Sequence, residues 1–267
     1  MLISFVSAKG SPGVTTTVMA VASRWPRTAI ATDLDPQGGD ILAGVGGGNV
    51  PAAHGVVDLV VDARRTDLLS AMHHHVTRPA AHSPLVLAGF GAPGQATGIA
   101  WEPVTRQFTD LPGADVLADC GRFVVGHPVV AALRNSDLAV VVLGSSLRSV
   151  RATARTLPLI RKELGLPSQR HTPRPSERLV LVVTAPGRPY DLSEIARACE
   201  ADVVGSLPGD PGAAQVWIDG GQPGRGFRRS ALQRSALDLV FELAERATAL
   251  RSADGPVIAP RHDGVIS

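Results

Sequence analysis

The chain has 267 residues, of which 44% are hydrophobic and 19% are charged, and its formal net charge is +2. This length and hydrophobicity are sufficient for one large buried core, and the near-neutral charge gives no bulk attraction to nucleic acid or to a membrane surface. Two cysteines exclude a disulfide scaffold, and no apolar run in the sequence is long enough to span a bilayer. A strand-like segment, not a signal peptide, comes first, so we expect a cytoplasmic protein.

The first two predicted elements enclose a glycine-rich turn. Residues 2–6 form an apolar run typical of a buried strand, and residues 14–24 have the apolar spacing of a helix. The turn between them, residues 8–16, has the sequence AKGSPGVTT. A strand, a glycine-rich turn and a helix N-terminus aim backbone N–H groups and the positive end of a helix dipole at one point. The sequence therefore predicts a phosphate-binding loop.

This loop departs from the common pattern G-x-x-x-x-G-K-[ST] at two positions. Ala8 replaces the first glycine and Val14 replaces the lysine. A lysine instead comes early in the loop, at Lys9. Of the 26 Lys and Arg residues of the chain, only Lys9 and Lys162 are lysines. The placement of one of them here indicates a need for a compact point charge, which arginine does not provide; an ordinary exposed lysine is the alternative interpretation.

The next predicted strand leads into an acidic segment. Residues 27–32 are followed by the sequence DLDPQGGD at residues 33–40. Asp33 and Asp35 leave the strand on the same side, because side chains alternate along a strand. Carboxylates hold Mg²⁺ and its water ligands. The alternative interpretation of this segment is a surface turn. That alternative is weaker, because the segment directly follows a predicted phosphate-binding unit.

The remaining elements predict the fold class. Apolar runs predict buried strands at residues 85–88, 116–118, 138–143 and 179–183, and helices are predicted at residues 54–63, 66–73, 98–109, 146–164, 192–199 and 231–250. This order predicts a doubly wound α/β fold, with a mostly parallel sheet, helices on both faces and a site at the carboxyl ends of the strands. We expect one domain over residues 1–251 and a disordered tail over residues 252–267.

Three motifs together resemble those of a known family. The loop has the order K-G-x-x-G-x-T-T, which resembles the deviant Walker A loop of the MinD/ParA family of P-loop ATPases. The acidic segment resembles the D-x-D-P-Q-G segment of that family, and the strand-like sequence ADVLADCG at residues 114–121 resembles its Walker B motif. The resemblance continues through residues 144–151 and 204–211 and spans roughly residues 1–250. It implies the P-loop NTPase fold. The eroded loop and residues 85–119 are similar to the CpaE/TadZ branch of that family.

The resemblance implies a role for each matching residue. Thr15, Asp33 and Asp119 would hold Mg²⁺ or its waters. Asp35 would orient the attacking water, and Lys9 would reach the nucleotide of a partner subunit. The implied ligands are ATP and Mg²⁺, and the implied assembly is a homodimer that forms on ATP binding and docks onto a protein of a localisation or secretion apparatus. The residues that would surround the phosphates or the base are Gly10, Ser11, Pro12, Gly13, Val14, Thr15, Thr16 and Pro208.

Two departures from the family pattern modify this expectation. Val14 carries neither charge nor donor, and the loss of one charge-assisted hydrogen bond weakens binding by about 10- to 100-fold. Hydrolysis suffers more, because positive charge on the transferring phosphoryl group accelerates it strongly. Thr184 follows a predicted strand where relatives often have an asparagine that reads adenine. We therefore expect nucleotide binding with slow or absent hydrolysis and uncertain base specificity.

Three functions remain open at this point: a nucleotide-dependent positioning factor, located at the membrane or cell pole through its partner; an active partition ATPase that binds DNA non-specifically; and an interaction module that retains only the fold. A basic cluster comprises Arg225, Arg228, Arg229 and Arg234. Attraction between this cluster and DNA phosphates would suffice for DNA binding. The simpler interpretation is that the cluster is a solvated face of the protein.

A run of histidines at residues 73–75, together with His82, is a second candidate site. We interpret these histidines as a solvated helix end and not as a metal site.

Overall fold

The centre of the molecule is a seven-stranded sheet. A computed structural model describes residues 1–10, 12–39, 41–45, 55–167, 177–187 and 189–253. The strands are β1 (Leu2–Ser7), β2 (Ala29–Asp33), β3 (Leu85–Leu87), β4 (Asp115–Arg122), β5 (Leu138–Gly144), β6 (Leu179–Thr184) and β7 (Asp202–Leu207). Their order is β3-β2-β4-β1-β5-β6-β7, and each neighbouring pair is parallel. The predicted parallel α/β architecture is confirmed.

Helices cover both faces of this sheet. One face carries α1 (Val14–Ala22), α2 (Ile41–Val45), α9 (Pro211–Ile218) and α10 (Ala231–Ala253). The other carries α3 (Val56–Asp62), α4 (Leu68–His75), α5 (Trp101–Thr109), α6 (Val130–Asn135), α7 (Leu147–Glu163) and α8 (Leu192–Cys199). Because strand side chains alternate, each face has its own apolar core. In β5, for example, Val140 and Val142 pack on the α1 face and Val141 and Leu143 on the other.

Four short elements are absent from the predicted set: β7, α2, α6 and α9. β7 is half-buried along most of its length and contains Gly205 and Ser206, so it has no continuous apolar run. α6 has six residues, and α9 starts with Pro211 and Gly212, a composition typical of a turn. At the other end, α10 runs two residues into the predicted tail. The rest of that tail, residues 254–267, and the predicted helix start at His54 lie outside the described residues.

The topology brings the predicted motifs to one edge of the sheet. The glycine-rich loop follows β1, the acidic segment follows β2, and the Walker B-like aspartate lies in β4 between them. Parallel strands end at the same edge, where doubly wound proteins bind their ligands. None of the described helices combines the length and the hydrophobicity needed to cross a bilayer.

Candidate functional site

The turn after β1 has the backbone shape of a phosphate-binding loop. Gly10 and Gly13 have φ values of 73° and 89°, in the left-handed region that glycine adopts without strain. Gly13 directly precedes α1, and no side chain caps this helix N-terminus. The first N–H groups of α1 and its positive dipole end are therefore available to an anion. Ser11, also predicted to bind phosphate, lies outside the described residues.

The two unusual residues of the loop have opposite environments. The side chain of Val14 is 7% exposed and belongs to the apolar core between α1 and the sheet. The residue at the position of the common lysine thus stabilises the fold. Lys9 is exposed and forms no hydrogen bond or ion pair with a described residue. The lysine that the sequence places early in the loop is therefore accessible at the surface of the molecule.

An acidic cluster lies beside the start of α1. The hydroxyl of Thr15 donates to Oδ2 of Asp119 over 2.6 Å, and Oδ1 of Asp119 accepts the N–H of Gly121 over 2.9 Å. Asp33 is the register partner of Asp119 on the neighbouring strand and is 2% exposed. Burial raises the pKa of Asp33 well above its usual range, and the charge of Asp119 raises it further. Two carboxylates are thus held close together in a buried place.

Close backbone packing fixes these carboxylates. A Cβ on Gly39 would lie 2.8 Å from Oδ2 of Asp33, and a Cβ on Gly121 would collide with the carboxylate of Asp35. Only glycine permits such an approach. Asp33 also accepts the N–H groups of Asp35 and Ile41, over 3.2 and 3.1 Å. The predicted metal and water residues Thr15, Asp33, Asp35 and Asp119 therefore come together at one edge of the sheet.

The donor set fits a magnesium ion that keeps its waters. A hydroxyl and carboxylates are the oxygen donors that Mg²⁺ prefers, and Mg²⁺ commonly combines one or two protein ligands with waters and phosphate oxygens. No group of three or more His, Cys, Asp or Glu side chains among the described residues is arranged to hold a metal by itself. The cluster is thus suited to a metal delivered together with a phosphate.

A cavity of about 490 Å³ adjoins the loop on the side of β6 and β7. It lies against Pro12 and Gly13 of the loop and extends to Leu207 and Pro208, the proline predicted to lie near a base. Its volume is within the range of small-molecule sites. The cavity therefore offers a place for the nucleoside part of a nucleotide whose phosphates occupy the loop.

Three hydroxyl groups of this cavity donate to backbone carbonyls. Thr184 donates to the carbonyl of Pro12 over 2.7 Å, Thr17 to the carbonyl of Gly13 over 2.8 Å and Ser145 to the carbonyl of Ala185 over 3.2 Å. Thr184 is 172 positions from Pro12, and no local sequence pattern signals this contact. The side chain at the position where relatives often have a base-reading asparagine thus ties β6 to the phosphate-binding loop.

Two other predictions have mixed outcomes. His73 and His74 are exposed as predicted, but the interpretation as a solvated helix end is wrong for His75. Its ring is buried and Nε2 lies 2.8 Å from Oδ2 of Asp62, because α4 packs against α3. In the predicted basic cluster, Arg225, Arg228 and Arg229 are exposed and form no ion pair with a described residue, and Arg234 donates to the carbonyl of Arg229.

Comparison with known proteins identifies the fold. No protein-family model and no curated protein matches the chain. A ParA family ATPase from Chlorobium tepidum has a similar structure, with a TM-score of 0.68, 21% identity and coverage of 91% of this chain and 98% of that chain. MinD from Pyrococcus horikoshii, complexed with Mg-ADP, has a TM-score of 0.68, 15% identity and coverage of 94% and 98%.

A third similar structure is that of a protein complex. The MinC:MinD cell division complex of Aquifex aeolicus matches with a TM-score of 0.67 and 13% identity, over 91% of this chain and 95% of that chain. The similarity in each case covers nearly all of the solved structure. The chain has the fold of the ParA and MinD ATPases, as the motifs predicted.

Proposed function

We propose that the chain is a MinD/ParA-like protein that binds Mg-ATP at the loop of residues 8–16 and acts as a dimeric positioning factor with slow or impaired hydrolysis. The observation that carries this proposal is the 2.6 Å contact between Thr15 and Asp119, with the buried Asp33 behind it. Such a cluster of oxygen donors at the carboxyl edge of a parallel sheet, next to an uncapped helix N-terminus, favours a metal-bound phosphate ligand. MinD of P. horikoshii, which shares the fold, carries Mg-ADP.

Each part of the site has a task in this proposal. The loop amides between Gly10 and Thr16 would bind phosphate oxygens, and the hydroxyl of Thr15 would bind the metal. Asp33 and Asp119 would accept hydrogen bonds from the metal's waters. Mg²⁺, when bound, supplies positive charge to the phosphates. The apolar cavity at Pro208 holds the nucleoside part, with ATP as the proposed ligand.

Hydrolysis is the step that this chain performs least well. Asp35 accepts the N–H of Gln37 over 2.9 Å and lies against Gly121. In this proposal it would orient the attacking water. Val14 packs in the core, and its hydrocarbon side chain brings no charge to the loop. Lys9, exposed and without a described partner, is available to the phosphates of a second subunit. We infer that a complete site needs two subunits.

The proposed biological role is to position a larger assembly. A protein partner in a localisation or secretion apparatus, of the kind implied by the resemblance to the CpaE/TadZ branch, fits a nucleotide-dependent dimer that hydrolyses slowly. MinD of A. aeolicus forms a complex with another protein, MinC. The second candidate is an active partition ATPase, which the exposed Arg225, Arg228 and Arg229 favour because they would attract DNA phosphates.

The experiment compares Lys9→Ala with Lys162→Ala, which removes the one other lysine of the chain from an exposed position on α7. Calorimetry measures ATP affinity in Mg²⁺, and light scattering measures mass. We expect the wild type and Lys162→Ala to bind ATP and to double their mass. We expect Lys9→Ala to remain a monomer and to bind about tenfold more weakly. Identical behaviour of both variants would exclude the role of Lys9, and no ATP binding by the wild type would exclude the proposed function.

A further inference from the structure

A second cavity lies at the opposite edge of the sheet from the phosphate loop. Its volume is about 280 Å³, and it is situated where α1 ends and where β2 and β3 begin. Four arginines line it, and no carboxylate does so among the described residues. They come from three parts of the chain: Arg24 and Arg27 lie between α1 and β2, Arg78 precedes β3, and Arg228 lies in the 3₁₀ turn Phe227–Arg229. We call this site the arginine cavity.

The charges of these arginines are not equally balanced. Arg27 pairs with Asp115 over 2.8 Å, so its charge is compensated within the protein. Arg78 donates to the carbonyl of Ser83, which is a neutral acceptor. Arg24 and Arg228 form no ion pair with a described residue. Positive groups that line one small cavity repel each other unless an anion lies between them.

Two buried donors at the cavity have no hydrogen-bond partner among the described residues. They are Nε of Arg24 and Nε2 of Gln233, whose side chain comes from α10 and is 2% exposed. A buried donor without a partner costs roughly 1–3 kcal/mol, and buried polar groups in native proteins are rarely left in this state. The unmet requirement of the cavity is therefore for hydrogen-bond acceptors.

The histidine of the cavity adds no compensating charge. His82 packs on the ring of Trp217 with centroids 5.8 Å apart, and burial lowers its pKa, so the ring is neutral at pH 7. It contributes a polar but uncharged wall. The cavity thus combines uncompensated guanidinium groups with partnerless donors, and a ligand that fits must be negative and rich in acceptors.

We propose that the arginine cavity binds a small phosphate-bearing anion, either inorganic phosphate or a phosphomonoester. Phosphate oxygens accept paired hydrogen bonds from guanidinium groups, and a tetrahedral anion presents acceptors to several arginines at once. The volume of about 280 Å³ accommodates a phosphate on a sugar-sized group. This site is separate from the nucleotide loop and does not depend on the proposed function.

A small anion fits this place better than a DNA backbone does. Arg24 is half-buried behind the end of α1, where a duplex phosphate does not reach it easily. Arg225 and Arg229 belong to the same basic segment as Arg228 but do not line the cavity. DNA binding would use all three exposed arginines, whereas a cavity ligand depends on Arg24 and Arg228. This difference supplies a matched control.

The test compares two double variants of the full chain at 150 mM NaCl, which weakens non-specific attraction. Arg24→Gln with Arg228→Gln changes the cavity, and Arg225→Gln with Arg229→Gln changes the neighbouring surface. Calorimetry measures the affinity for inorganic phosphate and for ribose 5-phosphate. We expect the cavity variant to lose about tenfold or more in affinity, and the surface variant to bind as the wild type does. Whichever probe binds more tightly identifies the source of the phosphate group.

Several outcomes would overturn the proposal. Equal phosphate affinity in both double variants would place the anion elsewhere, and absence of binding to the wild type would exclude the site. Loss of affinity for a 20-base-pair duplex in both variants, without phosphate binding, would assign the arginines to DNA. Arg24→Lys keeps the positive charge but removes the planar guanidinium group, so we expect an intermediate phosphate affinity. This variant keeps the test valid if the glutamine variant does not fold. ATP binding should be unchanged in the cavity variant, which separates this test from that of the nucleotide site.

Discussion

The metal side and the phosphate side of the nucleotide loop differ in how they are built. On the metal side, Thr15, Asp33 and Asp119 form a packed cluster, although burial of neighbouring carboxylates destabilises the fold. On the phosphate side, the side chain of Val14 packs in the core, and Lys9 forms no hydrogen bond or ion pair with a described residue. Under the proposed function, one subunit would supply the groups that bind the metal, and Lys9 of a second subunit would supply the positive charge for the phosphates.

Restoring a charge to the phosphate side should have the largest effect. We expect Val14→Lys to tighten ATP binding by about 10- to 100-fold and to raise the hydrolysis rate, because the longer lysine side chain extends past the core and brings an ammonium group to the outer phosphates. Calorimetry and phosphate release measure the two quantities. Val14→Met is the matched control, since it has a long side chain without charge and should change neither. If Val14→Lys behaves like Val14→Met, the metal side does not form a working site.

The position of Asp35 is tested in the Val14→Lys background. A Cβ at Gly121 collides with the Asp35 carboxylate, so Gly121→Ala should displace it and lower hydrolysis by about tenfold or more, with less than about threefold change in ATP affinity. Gly126→Ala is the control: its φ is 76°, similarly left-handed, but no atom lies near its Cβ position. Equal rates in both variants would show that Asp35 does not orient the attacking water.

The buried carboxylates of the metal side destabilise the fold, and this effect is measurable through the pH dependence of the free energy of unfolding. In Asp119→Asn the amide can still accept from Gly121 and donate to Thr15, but the charge next to Asp33 is gone. Because the folded state raises the pKa of Asp33, the free energy of unfolding falls as the pH rises through that pKa. This free energy falls less in Asp119→Asn, because the charge of Asp119 no longer raises the pKa of Asp33. We expect it to be about 1 kcal/mol more stable than the wild type at pH 8, a difference that shrinks at pH 4.5.

Urea unfolding at the two pH values checks this, and ATP binding by the same variant should weaken. An Asp119→Asn protein that is less stable than the wild type at pH 8 would contradict the account of a destabilising carboxylate pair.

The smallest expected effect concerns the base. Because the hydroxyl of Thr184 is bound to Pro12, we expect the wild type to distinguish ATP from GTP by less than about tenfold. Thr184→Asn should increase the preference for ATP, and Thr184→Val, which removes only the hydroxyl, should not. Competition binding with the two nucleotides measures this ratio. A strong ATP preference in the wild type would mean that the backbone of the cavity reads the base.

Sequence patterns predict the elements of this fold that carry strong local signals. β5 is predicted because its apolar run is continuous, whereas β7 is missed because Gly205 and Ser206 interrupt it. The acidic segment and the Walker B-like strand predict that Asp33 and Asp119 share one edge, but not that Gly39 packs against Asp33 and Gly121 against Asp35.

Other features of the molecule depend on long-range packing. Local propensity predicts neither the hydrogen bond from Thr184 to the carbonyl of Pro12 nor the packing of the Val14 side chain in the core. The arginine cavity combines residues from three distant segments (22–29, 78–85 and 227–233), so no motif in the sequence indicates it.

The most direct measurement is calorimetric titration of ATP, with and without Mg²⁺, into the wild type, Thr15→Ala and Thr156→Ala. Thr156 has a similar hydroxyl, bonded to the carbonyl of Ala152 on α7, far along the chain from the loop. The account predicts Mg²⁺-dependent binding to the wild type and to Thr156→Ala, and at least about tenfold weaker binding to Thr15→Ala. Failure of the wild type to bind any nucleoside triphosphate, or equal Mg²⁺-dependent affinity in all three proteins, would contradict it.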